Sequence, residues 1–333
     1  MTTVLITGGA GFIGSHLADE LRGRGHVVRV LDSLVPQVHE SADGAKPDIV
    51  GDVRDAEVVR RALEGVDSVV HLAARVGVGQ SMYEMAEYTS ANSLGTAVLL
   101  DALAERPVRK LVVASSMSIY GEGAYSGGEP VPTPETHPPQ LSSIYALTKY
   151  EQERSCLVAG AAYGIPTVAL RLFNTYGPGQ ALSNPYTGVL AIFAARLLND
   201  RPPRIFEDGG QRRDFVSVHD VARAFRLALE TDAADGAAVN VASGRDVTVL
   251  ELAHRLARML GKEIEPEVTG EHRAGDIRHC FADVSRAREM LGFEAAVSLE
   301  DGIAELAEWL AGQTAVDRID EAAAELAKRG LTG

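Results

Sequence analysis

The stretch from Val4 to Gly14, VLITGGAGFIG, constrains what this chain can fold into more than any other. An apolar, β-branched run breaks into glycines and resumes at the helical spacing of Phe12, Ile13, Leu17 and Leu21, the pattern of strand, tight turn and helix. Gly8, Gly11 and Gly14 stand three apart. That spacing suits a turn of permissive dihedrals, a backbone close to a pyrophosphate, and a helix whose first N–H groups face an anion. A Gly-rich turn alone is often only a turn. Here a second strand, Val27 to Leu31, ends in Asp32, an acid where a dinucleotide site needs a partner for ribose hydroxyls. Its carboxylate repels a 2′-phosphate, so NAD is expected over NADP.

From Met1 to about Leu172, strand-like runs at Thr3–Gly8, Val27–Asp32, Asp67–Leu72, Lys110–Ser116 and Thr167–Leu172 alternate with helical stretches. Such alternation predicts an α/β fold of the Rossmann type, a doubly wound parallel sheet with ligands at the strands' carboxyl ends. Several strands are continuous apolar runs, as expected where helices cover both faces. Beyond Asn174 the pattern loosens and a smaller, interleaved lobe begins. Residues 1–174 and 213–243 are expected to form the NAD-binding domain, and 175–212 and 244–333 the substrate-binding lobe. The Gly-, Pro- and Thr-rich loop from Glu122 to Pro139 is expected to be ordered and to shape a substrate pocket. The tail from Val316 to Lys328, with Ile319, Ala323 and Leu326 on one face, reads as an amphipathic packing helix.

Length and composition bound the rest. The chain has 333 residues with 46% hydrophobic content, enough for a buried core, and a formal charge of −14 with no basic run. Nucleic acid and anionic membrane are therefore poor partners, and any phosphate contact must be local. The amino terminus enters a strand at once and no apolar run approaches the ~20 residues that span a bilayer, so cytoplasmic residence is expected. Cys156 and Cys280 are too few and too isolated for a disulfide framework or a zinc site, and no metal is expected.

Tyr145 and Lys149 lie four apart in SSIYALTKYEQE, on one face of a helix. Such a pair is most often solvated helix surface. The strand Lys110–Ser116, however, ends in Ser115, Ser116 and Ser118 at the sheet's carboxyl edge, where nicotinamide would lie if the adenine end rests near Asp32. A nearby ammonium and a positive nicotinamide ring both favour phenolate, drawing Tyr145 down from its reference value of ~10 toward neutrality and making it a general base.

In sequence order, TGGAGFIG at 7–14, GDVRD at 51–55, HLAA at 71–74, NSLGT at 92–96, SSMSIYG at 115–121, YALTK at 145–149, RLFNTYGPG at 171–179 and RRDFVSVHDVA at 212–222 match one family's motifs. The chain resembles the extended short-chain dehydrogenase/reductases that act on nucleotide sugars, over nearly its whole length. The resemblance implies Asp52 and Val53 beside the adenine, and Ala73 and Asn92 near the cofactor phosphates and ribose. Gly8, Gly11, Phe12, Ile13, Leu72, Ala74 and Ser115 complete the cofactor contacts. It implies Ser116, Tyr145 and Lys149 at the reacting carbon, with Lys149 also on the nicotinamide ribose. Asn174, Arg213 and Arg273 are implied around the sugar nucleotide's diphosphate, and Ser118 and Cys280 in the sugar pocket. A homodimer through helices near Met82–Glu105 and Tyr145–Tyr163 is a further implication.

Departures inside the motifs bear on the reaction. Dehydratases of this family follow the hydroxyl residue with Asp and Glu, and the decarboxylases carry a glutamate in that segment; this chain has Met117 and Ser118. Redox chemistry at one carbon remains, through a 4-keto sugar to the 4-epimer. DSLVPQVHE at 32–40, GVGQSMYE at 77–84, SSMSIYGEG at 115–123 and NPYTGVLAIFAARLL at 184–198 look most like dTDP-L-rhamnose 4-epimerases. UDP-glucose and UDP-glucuronate 4-epimerases are alternatives, with Arg75 or Arg278 available to a hexose carboxylate. A 4-ketoreductase and a catalytically silent dinucleotide sensor are the other two. Asp32 counts against the reductase, and the joint presence of Ser116, Tyr145 and Lys149 against the sensor.

Overall fold

In chain order the first half runs β1 (Thr3–Thr7), α1 (Phe12–Gly23), β2 (Val27–Asp32), β3 (Ile49–Val50), β4 (Ser68–His71), α2 (Gly95–Glu105), β5 (Lys110–Ser116), α3 (Ile144–Tyr163) and β6 (Thr167–Leu172). There follow β7 (Asn174–Tyr176), α4 (Val189–Leu198), β8 (Arg212–Ser217), α5 (Val218–Glu230), β9 (Ala238–Val241), β10 (Asp246–Thr248), α6 (Val249–Met259), β11 (His279–Cys280), α7 (Leu299–Leu310) and α8 (Ile319–Lys328). The computed structural model describes residues 2–39, 46–186, 188–272 and 276–332.

Seven parallel strands form the central sheet in the order β9-β6-β5-β4-β1-β2-β3. The order reverses between β1 and β4, and a crevice at such a switch point is where ligands bind. Side chains alternate across the strands. Val4 and Ile6 join Leu17, Leu21 and Phe225 in the core under α1 and α5, while Leu5 joins Leu99, Leu103 and Leu157 under α2 and α3. Both faces are covered, which is why β5 and β6 are buried from end to end.

The second lobe packs α4, α6 and α7 around Phe193, Leu252 and Leu306. Its small sheet centres on β8, which pairs with β7, β10 and β11. The sequence-based division put residues 213–243 wholly with the NAD-binding domain. In the structure Arg212–Ser217 pairs with β7, β10 and β11 of the smaller sheet, while β9 closes the edge of the larger one. β8 is charged at its amino end and apolar at its carboxyl end, so its lobe is decided by pairing partners that composition does not reveal. No helix among the described residues is long and apolar enough to cross a membrane.

Candidate active site

The glycine turn sits at the β1–β4 switch point. Gly8 has φ +70°, and a Cβ on it would lie 2.8 Å from the backbone nitrogen of Ala73; on Gly14 it would lie 2.5 Å from Gly9 Cα. Strand β1, the helix and the segment after β4 thus approach as only glycine allows. α1 starts at Gly11 with no side-chain cap and no acid in its first turn, leaving its N–H groups for an anion. Asp32 locks the same turn, its Oδ2 accepting from Ala10 N–H at 3.0 Å and its Oδ1 from Leu34 N–H at 2.9 Å.

A cavity of about 1140 Å³ opens there and continues to the second lobe. It exceeds the roughly 300–1,000 Å³ of a drug-sized ligand site, consistent with room for two nucleotides. Gly8, Gly11, Phe12, Ile13, Asp32, Asp52, Val53, Leu72, Ala73 and Ala74 all line it. The Asp52 carboxyl is held below its ordinary range by a hydrogen bond from Arg54, whose Nη2 lies 2.6 Å away. Asn92 differs from expectation. It is fully buried and not on the wall, its Oδ1 accepting from Arg75 N–H at 2.6 Å and its Nδ2 donating to Arg75 O and Thr148 Oγ1. It braces the cofactor-side loop from behind.

Ser115, Ser116, Ser118, Tyr145 and Lys149 meet on the cavity at the end of β5 and the first turns of α3. Ser143 caps α3, accepting from Ala146 N–H at 3.1 Å, and Ser81 accepts from Tyr145 N–H at 3.0 Å, so this helix start is fixed. Tyr145 and Ser116 face each other closely enough for Ser116 to lower the phenol that burial raises. Ser115 turns away, donating to Glu153 at 2.6 Å, and Glu153 forms a buried pair with Arg171 at 2.7 Å. The expected pull of Lys149 on Tyr145 is not met in this arrangement. Burial raises the phenol and only Ser116 opposes it, while Lys149 donates to Ala114 O at 2.6 Å and to Gln152. Burial brings the Lys149 ammonium down to about 8.

Toward the second lobe, Asn174 and Arg213 line the cavity. Arg213 donates to the carbonyls of Arg212, Arg278 and Ile277. Among the described residues Asn174 Oδ1 and Ser118 Oγ are buried without a partner, which a ligand's polar groups would supply. Arg273 lies outside the described residues. Cys280 is the residue that the resemblance implies in the sugar pocket. It is fully buried, off the cavity, in a cluster with Met117, Tyr120, Phe173 and Ile277. Burial pushes its thiol up to about 12. β11 pairs it with Arg213 and turns its side chain inward. The 122–139 loop does not line the cavity; it docks on β11 and the residue after it, with Gly123 N–H donating to His279 O at 2.7 Å and Thr133 N–H to Phe281 O at 2.7 Å.

Sequence reasoning missed the tail's role. Ile319, Ala322, Ala323 and Leu326 of α8, and Leu331 after it, line the cavity. Arg196 and Arg201 hold this wall through Asp317 and Asp320 at 2.7–3.3 Å. The amphipathic face was readable, but not what it covers.

The sequence profile described as "NAD dependent epimerase/dehydratase family" matches residues 4–242. The chain belongs to that family. A dTDP-L-rhamnose 4-epimerase of Burkholderia thailandensis is 34% identical over 92% of this chain and 94% of its own length. A UDP-glucose 4-epimerase of Mycolicibacterium smegmatis is 35% identical over 92% and 97%. The crystal structure of the Thermus thermophilus UDP-glucose 4-epimerase in complex with NAD superposes with a TM-score of 0.83 at 35% identity, covering 94% of this chain and 100% of that one. The cofactor of this epimerase/dehydratase family member is NAD, and the residues present fit it: an uncapped helix start for the pyrophosphate and an acid, Asp32, on the wall for the ribose.

Proposed function

We propose that this NAD-dependent nucleotide-sugar 4-epimerase acts on a dTDP-6-deoxyhexose such as dTDP-L-rhamnose. The observation that carries the reading is the wall beside the Tyr145–Ser116 pair. Met117, Phe173 and Ile277 pack there as one apolar cluster and line the cavity. A C6 methyl suits such a wall, whereas a hexose carboxylate set against it would be desolvated without a partner. Of the two cations suited to that carboxylate, Arg278 is off the cavity, bonded to Glu207 at 2.8 Å and Asp208 at 2.6 Å. Arg75 does line it, beside Glu87 at 3.5 Å. The dTDP-L-rhamnose 4-epimerase relative supports the same choice.

In this reading Tyr145 takes the proton of the C4 hydroxyl and returns it after the 4-keto sugar has turned over, with Ser116 orienting the oxygen. Bound NAD supplies the reversible hydride acceptor for C4. Lys149 provides positive charge at the ribose end. Ser118 and Asn174 receive sugar and phosphate hydrogen-bonding groups, and Arg213, with Arg273, carries charge toward the diphosphate. With Met117 and Ser118 where a dehydratase has Asp and Glu, no water is eliminated. A UDP-hexose substrate is the second reading, favoured by the two UDP-glucose 4-epimerase relatives. We also propose a homodimer through α3 and the helices before it.

The test is incubation of the purified protein with dTDP-L-rhamnose, UDP-glucose and UDP-glucuronate without added cofactor, followed by NMR of the anomeric and C4 protons. C4 inversion of the dTDP sugar is expected. Turnover of only the UDP sugars overturns the substrate reading, and a requirement for added NADPH turns it into a reductase.

A further inference from the structure

A buried polar chain runs beneath the cavity floor from α3 to β4 and β1. Lys149 Nζ donates to Gln152 Oε1. Gln152 Nε2 lies 2.8 Å from His71 Nε2 and 2.9 Å from Thr96 Oγ1. His71 Nδ1 lies 2.7 Å from Thr7 Oγ1. Thr7, His71, Thr96, Lys149 and Gln152 are all buried.

One proton arrangement satisfies the shortest of these contacts, ahead of the longer approaches of His71 Nε2 to Thr96 Oγ1 at 3.0 Å and of Gln152 Nε2 to Ala73 O at 3.3 Å. Thr96 Oγ1 gives its proton to Asn92 O at 2.6 Å, so toward Gln152 it can only accept. The amide nitrogen therefore spends one hydrogen on Thr96 and the other on His71 Nε2, which must hold a lone pair. The His71 proton then sits on Nδ1 and is donated to Thr7. Gln152 Oε1 is left facing the ammonium. A reversed amide would set N–H groups against the ammonium and an oxygen against two acceptors. Burial keeps His71 neutral, lowering it to about 3, so the arrangement persists across the working pH range.

We infer that Gln152 is a positioning residue of the catalytic centre, holding the Lys149 ammonium at the cavity floor through Oε1 while neutral His71 and Thr96 fix its amide. The inference rests on the reading of Tyr145 as base and of Lys149 as the positive charge at the nicotinamide ribose. The titratable groups whose charge acts with Lys149 are Glu153 and Cys156 on its own helix and His71 on β4. Glu153 is neutralised by Arg171, and burial pushes the Cys156 thiol up to about 12, so it carries no charge. Gln152 is thus the side chain that offers Lys149 a direct acceptor, the other being the Ala114 carbonyl.

The test is the pH profile of kcat for the NAD-loaded enzyme, compared with Gln152→Leu, Gln152→Glu and Tyr145→Phe. Losing the acceptor favours neutral lysine, so in Gln152→Leu the alkaline limb should move down by about one pH unit, a tenfold drop in proton affinity. Gln152→Glu keeps Oε1, adds charge and should move the limb up. KM for the nucleotide sugar should change less than kcat in both. Limbs at the parental pH in the two variants, with only the unfolding midpoint lowered, would reduce Gln152 to packing. Should Gln152→Leu fail to fold, an unmoved limb in Gln152→Glu overturns the inference by itself. Near-parental turnover by Tyr145→Phe would instead sink the base assignment, a separate result.

Discussion

The Asp32 carboxylate accepts a 3.0 Å hydrogen bond from the backbone N–H of Ala10, tying the end of the second strand to the glycine turn. The same carboxylate lines the cavity, so it serves both turn and cofactor. Asp32→Ala should therefore weaken NAD retention and lower the unfolding midpoint together. Asp32→Asn keeps an acceptor for Ala10 and should lower NAD affinity with less loss of stability. NAD released per chain on denaturation, set beside thermal unfolding, checks both; unchanged NAD content in Asp32→Ala would remove the residue from the cofactor site.

Cys280 is packed on all sides, and even a Cβ on Gly123 would approach its Cα to 3.0 Å. Cys280→Tyr should overpack this cluster and cost at least ~1–3 kcal/mol. Cys280→Ala should turn over every accepted sugar at the parental rate. Urea unfolding and a sugar panel decide. A well-folded Cys280→Tyr that rejects only the bulkiest sugar would put the side chain in the pocket after all.

His71 is held neutral, its value depressed from 6.5 to about 3. A depressed value in the folded state means stability that is complete above the unfolded value and lost as pH falls toward the folded one. Between pH 7 and pH 5 the loss from this group alone should be about 2 kcal/mol. Denaturant unfolding of the parent and of His71→Gln at both pH values measures it. The variant should show a shallower fall; equal slopes would mean that His71 is not buried neutral.

Leu147 and Val158 stand 47% and 61% exposed on one face of the Ile144–Tyr163 helix. Beside them a shallow groove is lined by Met85, Leu94, Ala97 and Glu151. Apolar surface of this kind on adjoining helices suits a second copy. Leu147→Asp with Val158→Asp should yield a monomer by light scattering at unchanged NAD content. A parent that is already monomeric at micromolar concentration overturns the dimer.

Much of this architecture was legible from residues. The apolar runs LVVA within 110–116 and VAL within 167–172 marked two strands of the sheet, and the glycines marked the turn between the first strand and its helix. What was hidden depends on partners distant in sequence. Nothing near Lys149 shows that its ammonium meets Gln152, because that follows from how the helix rests on His71. Cys280 lies in a two-residue strand whose inward face is set by pairing with Arg213, and Asn92 looks like a ligand residue until its amide is seen closing on Arg75.

The wall built from Ile319 to Leu331 also decides where foreign polypeptide can be attached. Chain that follows Leu331 emerges beside the cavity, whereas chain that precedes Thr3 emerges at the amino edge of the sheet, opposite the ligand edge. A purification handle or fusion partner placed after the last helix is therefore expected to crowd this cavity wall and lower turnover. The same handle placed ahead of the first strand should leave the wall undisturbed, and assays of this enzyme are best read on the second kind of fusion.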